Sequence, residues 1–322
     1  MLSDCDSNLD LFWTLESYMK DNKDSHWFDK HQRLIQLFGK ALRPNPGVVI
    51  LRSGESNLLD PQAMGYNWDL GRSELQAAHY DNFYATEWEL ARGLVRDYPV
   101  LMDSGSQFMD ARLVRDIGRY VEAGGTFIAL HNTGLHGILE PNTSPLSQIS
   151  GFMPSPTRRG GEIRFADQLP VFNGWEGQRF KASGLALKPV AGLAGLQPLA
   201  RWEDGSVAVG YRQLGKGRII VLGYSSWRDG QDTAGVWRSR LEMQDKFLSR
   251  LFTDLGVERT ANASSYDVWA RKAVTKNGLQ DWLITCNSTD KPVTADVSLL
   301  VEHKPQVVWN LVTRRLRCTA SP

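Results

Sequence analysis

The chain has 322 residues, with 37 basic against 36 acidic side chains and a net charge of +1. That length asks for two domains rather than one, and the even charge excludes any electrostatic reason to expect a nucleic-acid or anionic-membrane partner. Hydrophobic residues at 42% and charged residues at 23% are ordinary for a globular protein. No apolar run approaches the ~20 residues that a bilayer-spanning helix needs. The three cysteines, Cys5, Cys286 and Cys318, are far apart and form neither a metal-ligand pattern nor a disulfide framework. A reduced compartment fits them. The opening Met1-Leu-Ser-Asp-Cys-Asp carries acid where a signal peptide needs a basic and then an apolar stretch, so a cytoplasmic location is the preferred expectation.

In chain order, residues 1–45 read as a helical segment, with Trp27, Phe28, His31, Leu34, Ile35, Phe38 and Leu42 near one face and Pro44 and Pro46 ending it. Gly47–Arg52 is the first buried strand. A polar stretch, Ser53 to Gly71, follows, and a structureless run of that length is either functional or an insertion. Glu74–His79 reads as a short helix and Glu87–Arg96 as a better one. Tyr98–Asp103 is an apolar strand that ends on a carboxylate. Asp110 opens a helix whose Leu113, Val114, Ile117 and Val121 follow a helical period. Gly124-Gly125 stops it, because glycine takes the left-handed cap conformation at no steric cost. Thr126–Leu130 is a second buried strand, and it delivers His131-Asn132-Thr133-Gly134 into a loop.

Pro141 to Gly161 is loop-rich. Short strands are expected at Glu162–Phe165, Arg179–Ala182, Leu199–Trp202 and Val207–Tyr211. Leu214–Gly217 is a tight turn before the buried strand Arg218–Gly223, and Arg240–Leu255 is an amphipathic helix capped by Gly256. From Val257 the texture changes to short alternating runs at Asp267–Ala273, Trp282–Cys286, Val293–Leu299 and Gln306–Leu311. Turn signals stand at Asn277-Gly278 and Asp290-Lys-Pro292. About five strands are available there, fewer than the ~7 of a full sandwich. The expected fold class is therefore α/β: a flavodoxin-like, doubly wound, mostly parallel sheet over 46–256, then a small antiparallel partial sandwich over 257–322.

In an open α/β sheet, ligands sit beyond the carboxyl ends of the strands. The residues delivered there are Arg52, Ser53, Asp103, Ser104, His131, Asn132, Thr133 and His136, and these form the candidate ligand-binding set. His131 and His136 are five apart, and Asp103 could complete the three ligands that a metal site needs. The plainer alternative is that His131 bonds the loop backbone and His136 is solvated. Among other acids, Glu55, Asp60, Asp69, Glu74 and Glu87 read best as surface charge, since no (β/α)₈ barrel to hold a glycosidase pair fits this length. Trp68, Trp88, Trp175, Trp202, Trp227 and Trp237 could stack on sugars, although core packing or burial at a contact is commoner. Tyr66–Arg72 is polar, aromatic and on the long loop. Arg158-Arg159-Gly-Gly161 reads as a bare turn or an anion site. Leu214–Gly217 is no phosphate loop, because it leads into a strand rather than a helix.

Three stretches carry a resemblance. Tyr120-Val-Glu-Ala-Gly-Gly-Thr-Phe-Ile-Ala-Leu resembles the YVxxGGTlvl segment of class I glutamine amidotransferase-like domains. Leu214-Gly-Lys-Gly-Arg-Ile-Ile-Val-Leu-Gly is similar to their late yGkGrvvylG strand, and Pro46–Ser53 to their opening strand. The variety most resembled is the trimerisation domain that follows the catalytic barrel of many bacterial β-galactosidases. The match covers residues 46–256, and 257–322 more loosely through Val308-Trp-Asn-Leu-Val-Thr-Arg. The resemblance implies a non-catalytic assembly role with no cofactor, as a homo-oligomer or against an upstream barrel that carries the catalytic carboxylates. Carbohydrate is a candidate ligand.

A true amidotransferase needs a cysteine on the elbow and a later histidine. Here the elbow falls at Asn132 or Thr133, and Tyr224–Asp229 offers no histidine, so glutamine hydrolysis is not expected. Phe127–His131 with Ser150-Gly-Phe152 also resembles trehalose-utilisation-type domains. That second likeness implies the alternative of a self-standing sugar-binding or metal-dependent sugar-modifying protein, with its site at the strand ends.

Overall fold

The computed structural model describes residues 41–42, 47–60, 75, 78–225, 248–275, 278–287, 291–301, 307–310 and 315–319; for 41–42, 156–159, 225, 307–310 and 315–319 it describes the backbone alone. They divide into two compact units. One lies within Asn45–Arg259. The other combines Ala41–Leu42 with the residues from Thr260 onward.

The first strand, β1 (Ala41–Leu42), belongs to the smaller unit. The larger unit is α/β and runs β2 (Val48–Leu51), α1 (Gly54–Leu59), β3 (Asn82–Ala85), α2 (Glu87–Ala91), β4 (Val100–Asp103), β5 (Phe108–Met109), α3 (Ala111–Glu122), β6 (Thr126–Ala129), β7 (His136–Gly137), α4 (Ser147–Ser150), β8 (Phe152–Phe165), β9 (Arg179–Pro189), β10 (Leu196–Trp202), β11 (Val207–Leu214), β12 (Gly217–Leu222) and β13 (Tyr224–Ser225), followed by helical residues 248–254, here α5. Ten of the strands form one sheet in the order β13-β9-β8-β10-β11-β12-β6-β4-β2-β3. The run from β12 to β3 is parallel, and the strands beyond β12 are antiparallel.

Parallel strands covered on both faces need apolar side chains at every position. Val48-Val-Ile-Leu51, Val100-Leu-Met102 and Phe127-Ile-Ala129 meet that need and are wholly buried. Alternate residues point to opposite faces. Val48, Ile50, Val100, Met102, Ile128 and Ile220 pack with Leu248, Leu251 and Phe252 of α5. Val49, Leu51, Leu101, Phe127, Ala129 and Ile219 pack with Leu90 of α2 and Leu113, Val114, Ile117 and Val121 of α3.

Helix α3 starts where expected, because the Asp110 carboxylate accepts the Leu113 N–H at 2.7 Å. At its far end the Tyr120 hydroxyl donates to the Tyr98 carbonyl at 2.8 Å, tying the helix to the segment that enters β4. Gly217 explains the Gly-Lys-Gly turn. A Cβ there would lie 2.1 Å from the Gly125 oxygen and 2.2 Å from the Val121 oxygen, so β12 can enter the sheet beside the end of α3 only as glycine.

Several expectations are corrected. The polar stretch after Arg52 begins with α1, capped by Ser53, whose Oγ accepts the Ser56 N–H. The helix from Glu87 ends at Ala91, two residues before Gly93 with φ +71°. The loop expected over 141–161 contains α4 and the first ten residues of β8, and Arg158-Arg159 lies within that strand rather than in a turn. A register shift between Pro154 and Arg158 accommodates the prolines of β8. The short strands expected from 162 to 211 are longer, at 11 residues for β9 and 8 for β11. Residues 1–40, 61–74 and 226–247 lie outside the described residues. With them go most of the expected N-terminal helix, Tyr66–Arg72, Trp68, Asp69, Glu74, Trp227, Trp237 and the first part of the helix over 240–255.

In the smaller unit β1 pairs antiparallel with β15 (Val268–Thr275), which pairs with β16 (Asp281–Asn287). Ala41 and Leu42 are thus strand, not helix. β14 (Ala261–Ala263) pairs with β17 (Val297–Leu299), and β18 (Val307–Asn310) with β19 (Arg315–Thr319). A small core joins Ala261, Ala263, Val268 and Ala270 to Val293, Ala295 and Leu299.

Candidate functional site

The carboxyl ends of β2, β4 and β6 lie side by side in register, so the segments that follow them meet. From β2, the Arg52 N–H donates to the Ala85 carbonyl at 2.8 Å, and Ser53, buried, caps α1. The remaining N–H groups of that cap find a partner from a distant element. Glu87, in the first turn of α2, accepts Gly54 N–H at 3.0 Å and Glu55 N–H at 3.2 Å. The N-terminus of α1 is thereby filled by the chain's own carboxylate. Glu55 is held above the usual carboxylate range by partial burial and by the charges of Asp110 and Glu87, with Arg112 opposing.

Asp103, at the end of β4, is fully buried. Its Oδ2 accepts three bonds, each at 2.7 Å, from Gly105 N–H, Ser106 N–H and the Thr133 hydroxyl. Burial pushes its carboxyl above the usual range, and the hydrogen bonds from Thr133, Ser106 and Gly105 pull the other way. Thr133 Oγ1 also accepts the Leu130 N–H at 2.9 Å. Ser104 donates through Oγ to the Leu51 carbonyl at 2.7 Å, joining β4 back to β2. Asn132 donates through Nδ2 to the Gly105 carbonyl at 3.3 Å. Gly105 has φ +101°, and a Cβ there would meet Asn132 Nδ2 at 2.8 Å.

The two loops then run together. Gly134 N–H donates to Ser106 O at 2.7 Å, His136 N–H to Gln107 O at 2.9 Å and Ile138 N–H to Met109 O at 3.2 Å. They form the parallel pair β5–β7. Phe108 N–H donates to Ser56 Oγ at 3.2 Å, and Gln107 Nε2 to Asp60 Oδ2 at 2.7 Å. The sheet end is thus roofed by hydrogen-bonded backbone.

Of the eight expected site residues, Ser53, Asp103, Ser104, Asn132 and Thr133 are buried in this network. Arg52 and His131 are half-buried at its rim, and among the described residues the Arg52 side chain makes no hydrogen bond or ion pair. His136 turns its Nδ1 to the Pro141 carbonyl at 2.8 Å, and its ring lies 5.3 Å from that of Phe108. Among the described residues, no three His, Cys, Asp or Glu side chains stand where they could hold one metal ion. No described helix is long and apolar enough to cross a membrane.

Reading the sequence took Glu87 for surface charge and missed Ser56, Gly105, Ser106 and Gln107. A signal for the Glu87 region was present, since Thr86-x-x-Glu89 is a capping box, and it forms. The tryptophans divide. Trp202 is buried, Trp175 packs against Phe165 and Phe180 with centroids 5.5 and 5.9 Å apart, and Trp88 is 57% exposed with the Arg92 guanidinium 4.3 Å from its ring centroid.

No family model matches the chain, and no curated protein matches it. Among solved structures it is similar to the β-galactosidase from Bacillus circulans sp. alkalophilus, with 13% identity and a TM-score of 0.61 over 90% of this chain and 42% of that one. It is similar to a catalytic mutant of Gan42B, a GH42 β-galactosidase from G. stearothermophilus, with 14% identity and a TM-score of 0.63 over 93% and 42%. It is also similar to the β-galactosidase from Rahnella sp. R3, with 16% identity and a TM-score of 0.56 over 76% and 36%. The chain therefore spans about two-fifths of the length of these proteins, and at such identities what it shares with them is the fold.

Proposed function

We propose that this chain is the non-catalytic, assembly-forming portion of a β-galactosidase-like glycoside hydrolase acting on carbohydrate. The observation that carries the reading is the asymmetry of the match. The fold runs over 90–93% of this chain but 42% of the β-galactosidase chains, leaving more than half of each unmatched. A catalytic barrel would occupy that remainder, since ~250 residues are needed to close one.

The strand ends support the same reading. The carboxylate that a ligand would address there, Asp103, is spent on backbone and on Thr133. The order of the parallel strands, the second in sequence lying outside the first and the third to fifth following on the other side, supports a flavodoxin-like winding. It supports an amidotransferase-like domain of the trimerisation type, and the small apolar core that joins β14, β15 and β17 in the other unit supports a partial sandwich. The partners are other copies of the chain, an upstream barrel, or both.

The test is direct. The purified chain, assayed with a chromogenic β-galactoside, should release no product. The same assay on a longer polypeptide in which an in-frame barrel precedes Met1 should release it. Turnover by the chain alone would overturn the reading, as would a coding sequence with no barrel on either side.

A further inference from the structure

The Asp103–Asn132 pair holds two buried acceptors with nothing to accept. Asp103 is 0% exposed and Asn132 6% exposed. Three donors converge on Oδ2 of Asp103 and the Ser106 hydroxyl also favours the charged carboxyl, yet among the described residues its Oδ1 has no hydrogen-bond partner. Asn132 Oδ1 is in the same position. Both side chains are drawn to one residue, Gly105: Asp103 takes its N–H, and Asn132 bonds its carbonyl. Turning the Asn132 amide over would not help, because its oxygen would then face the Gly105 carbonyl oxygen. A buried acceptor left empty costs about 1–3 kcal/mol, and a buried carboxylate with no countercharge costs more. The titratable side chains on the surrounding elements are Arg52 after β2, Glu55 and Asp60 on or after α1, Glu87 on α2, Asp110 before α3, and His131 and His136 after β6. None is a hydrogen-bond or ion-pair partner of Asp103 among the described residues, and none contributes to its perturbation. What the pair lacks is one hydrogen.

We infer that Asp103 is a neutral carboxylic acid in the folded protein at neutral pH, its Oδ2 accepting from the two loops and its Oδ1–H serving as donor toward Asn132 Oδ1. A single proton then removes both empty acceptors and the uncompensated charge. It also makes the clasp between the loops after β4 and β6 dependent on protonation. Asp103 ionises in the unfolded chain at a lower pH than in the folded one. Its contribution is therefore complete below the ordinary carboxylate range and is lost as pH rises through the folded-state value.

The test is Asp103→Asn in the full chain, with thermal unfolding followed from about pH 5 to about pH 9. The amide oxygen keeps the three donors, and the NH₂ takes the place of the acid proton. The variant should melt within about 2 °C of the parent near pH 5, and should gain on it as pH rises, since an amide does not titrate. A melting point well below the parent's at every pH would mean that an ionised carboxylate does the holding, and would overturn the inference. So would a parent melting point that rises with Na⁺, K⁺, Mg²⁺ or Ca²⁺ at fixed ionic strength while the variant's does not, because a cation would then fill the gap. Should Asp103→Asn fail to fold, infrared spectra of the parent with isotope-labelled aspartate decide the matter. A protonated-carboxyl C=O band near pH 7 is expected, and carboxylate bands alone would refute it.

Discussion

Thr133→Val is the sharpest perturbation of the strand-end network, because valine keeps the shape and removes only the hydroxyl. That hydroxyl does two jobs. It accepts the Leu130 N–H at 2.9 Å and donates to Asp103 Oδ2 at 2.7 Å, and Thr133 is 2% exposed, so water cannot replace it. Orphaning the buried Leu130 N–H costs about 1–3 kcal/mol, and losing the bond to Asp103 about 1 kcal/mol more. The sum is about 2–4 kcal/mol. For a unit of this size each kcal/mol lowers Tm by about 2–4 °C, so the expected fall is roughly 4–16 °C. Thr133→Ser is the control. It keeps both bonds and gives up one methyl group, worth about 1 kcal/mol. Urea unfolding of parent and both variants measures the differences. If valine costs no more than serine, the hydroxyl is not part of what holds the two loops, and the account of the closed sheet end fails.

Other positions give independent tests. Gly105→Ala forces a side chain into φ +101° and against Asn132, and should cost about 2 kcal/mol or more by urea unfolding. Tyr120→Phe strips the Tyr98 carbonyl of its donor, for a loss of about 1 kcal/mol in the same measurement. Glu87→Ala removes the acceptors of the Gly54 and Glu55 N–H groups at the start of α1; amide exchange at Gly54 and Glu55 should quicken about 5- to 30-fold, as about 1–2 kcal/mol of capping is lost, while exchange in β6 stays unchanged. The same variant also removes a negative neighbour of Glu55. Glu55 should then titrate at lower pH in a carbon-detected NMR titration, and the stability that its raised folded-state pKa withdraws as pH climbs above the carboxylate range should be partly restored.

The parts of the fold legible in the sequence are those whose neighbours on the chain decide them. β2, β4, β6 and β12 read as strands because burial on both faces demands unbroken apolar runs. α3 reads as a helix because Asp110 opens it and Gly124 follows its end. The parts that escaped depend on residues far away. Gly54-Glu-Ser-Asn-Leu-Leu59 has little helical signature, and its start is held by Glu87, 33 positions on. β8 carries Pro154, Pro156, Gly160 and Gly161, which mark a loop on any local scale; they are tolerated because β9 pairs along nearly the whole strand around one register shift. The strand-end rule names Asp103, Asn132 and Thr133 as candidates for one ligand site, and the fold brings the loops that carry them together. The rule could not say that the Thr133 hydroxyl would bond Asp103 or the Asn132 amide the Gly105 carbonyl, because that follows from the parallel path of the loops 104–109 and 133–138.

This closure bears on which function the sheet end can serve. A ligand reaching Asp103 would have to part Gly134 from Ser106, His136 from Gln107 and Ile138 from Met109, and displace Thr133 from the carboxylate. At about 1 kcal/mol for each bond, some 4 kcal/mol of binding energy would go to opening the roof, equal to about a thousandfold in Kd. Among the described residues, the Arg52 side chain takes no part in those bonds. A sheet end built to receive a small molecule keeps its polar groups free and its backbone donors pointed outward. Here the donors are turned inward on Asp103 and Glu87, and what the network secures is the position of α1, β5 and β7. The exposed surface of those elements includes Leu58, 84% exposed, and, just beyond β7, Leu139, 92% exposed. Rigid placement of an outer surface serves a protein that is packed against, which is the sense in which the closed strand ends and the assembly reading support each other.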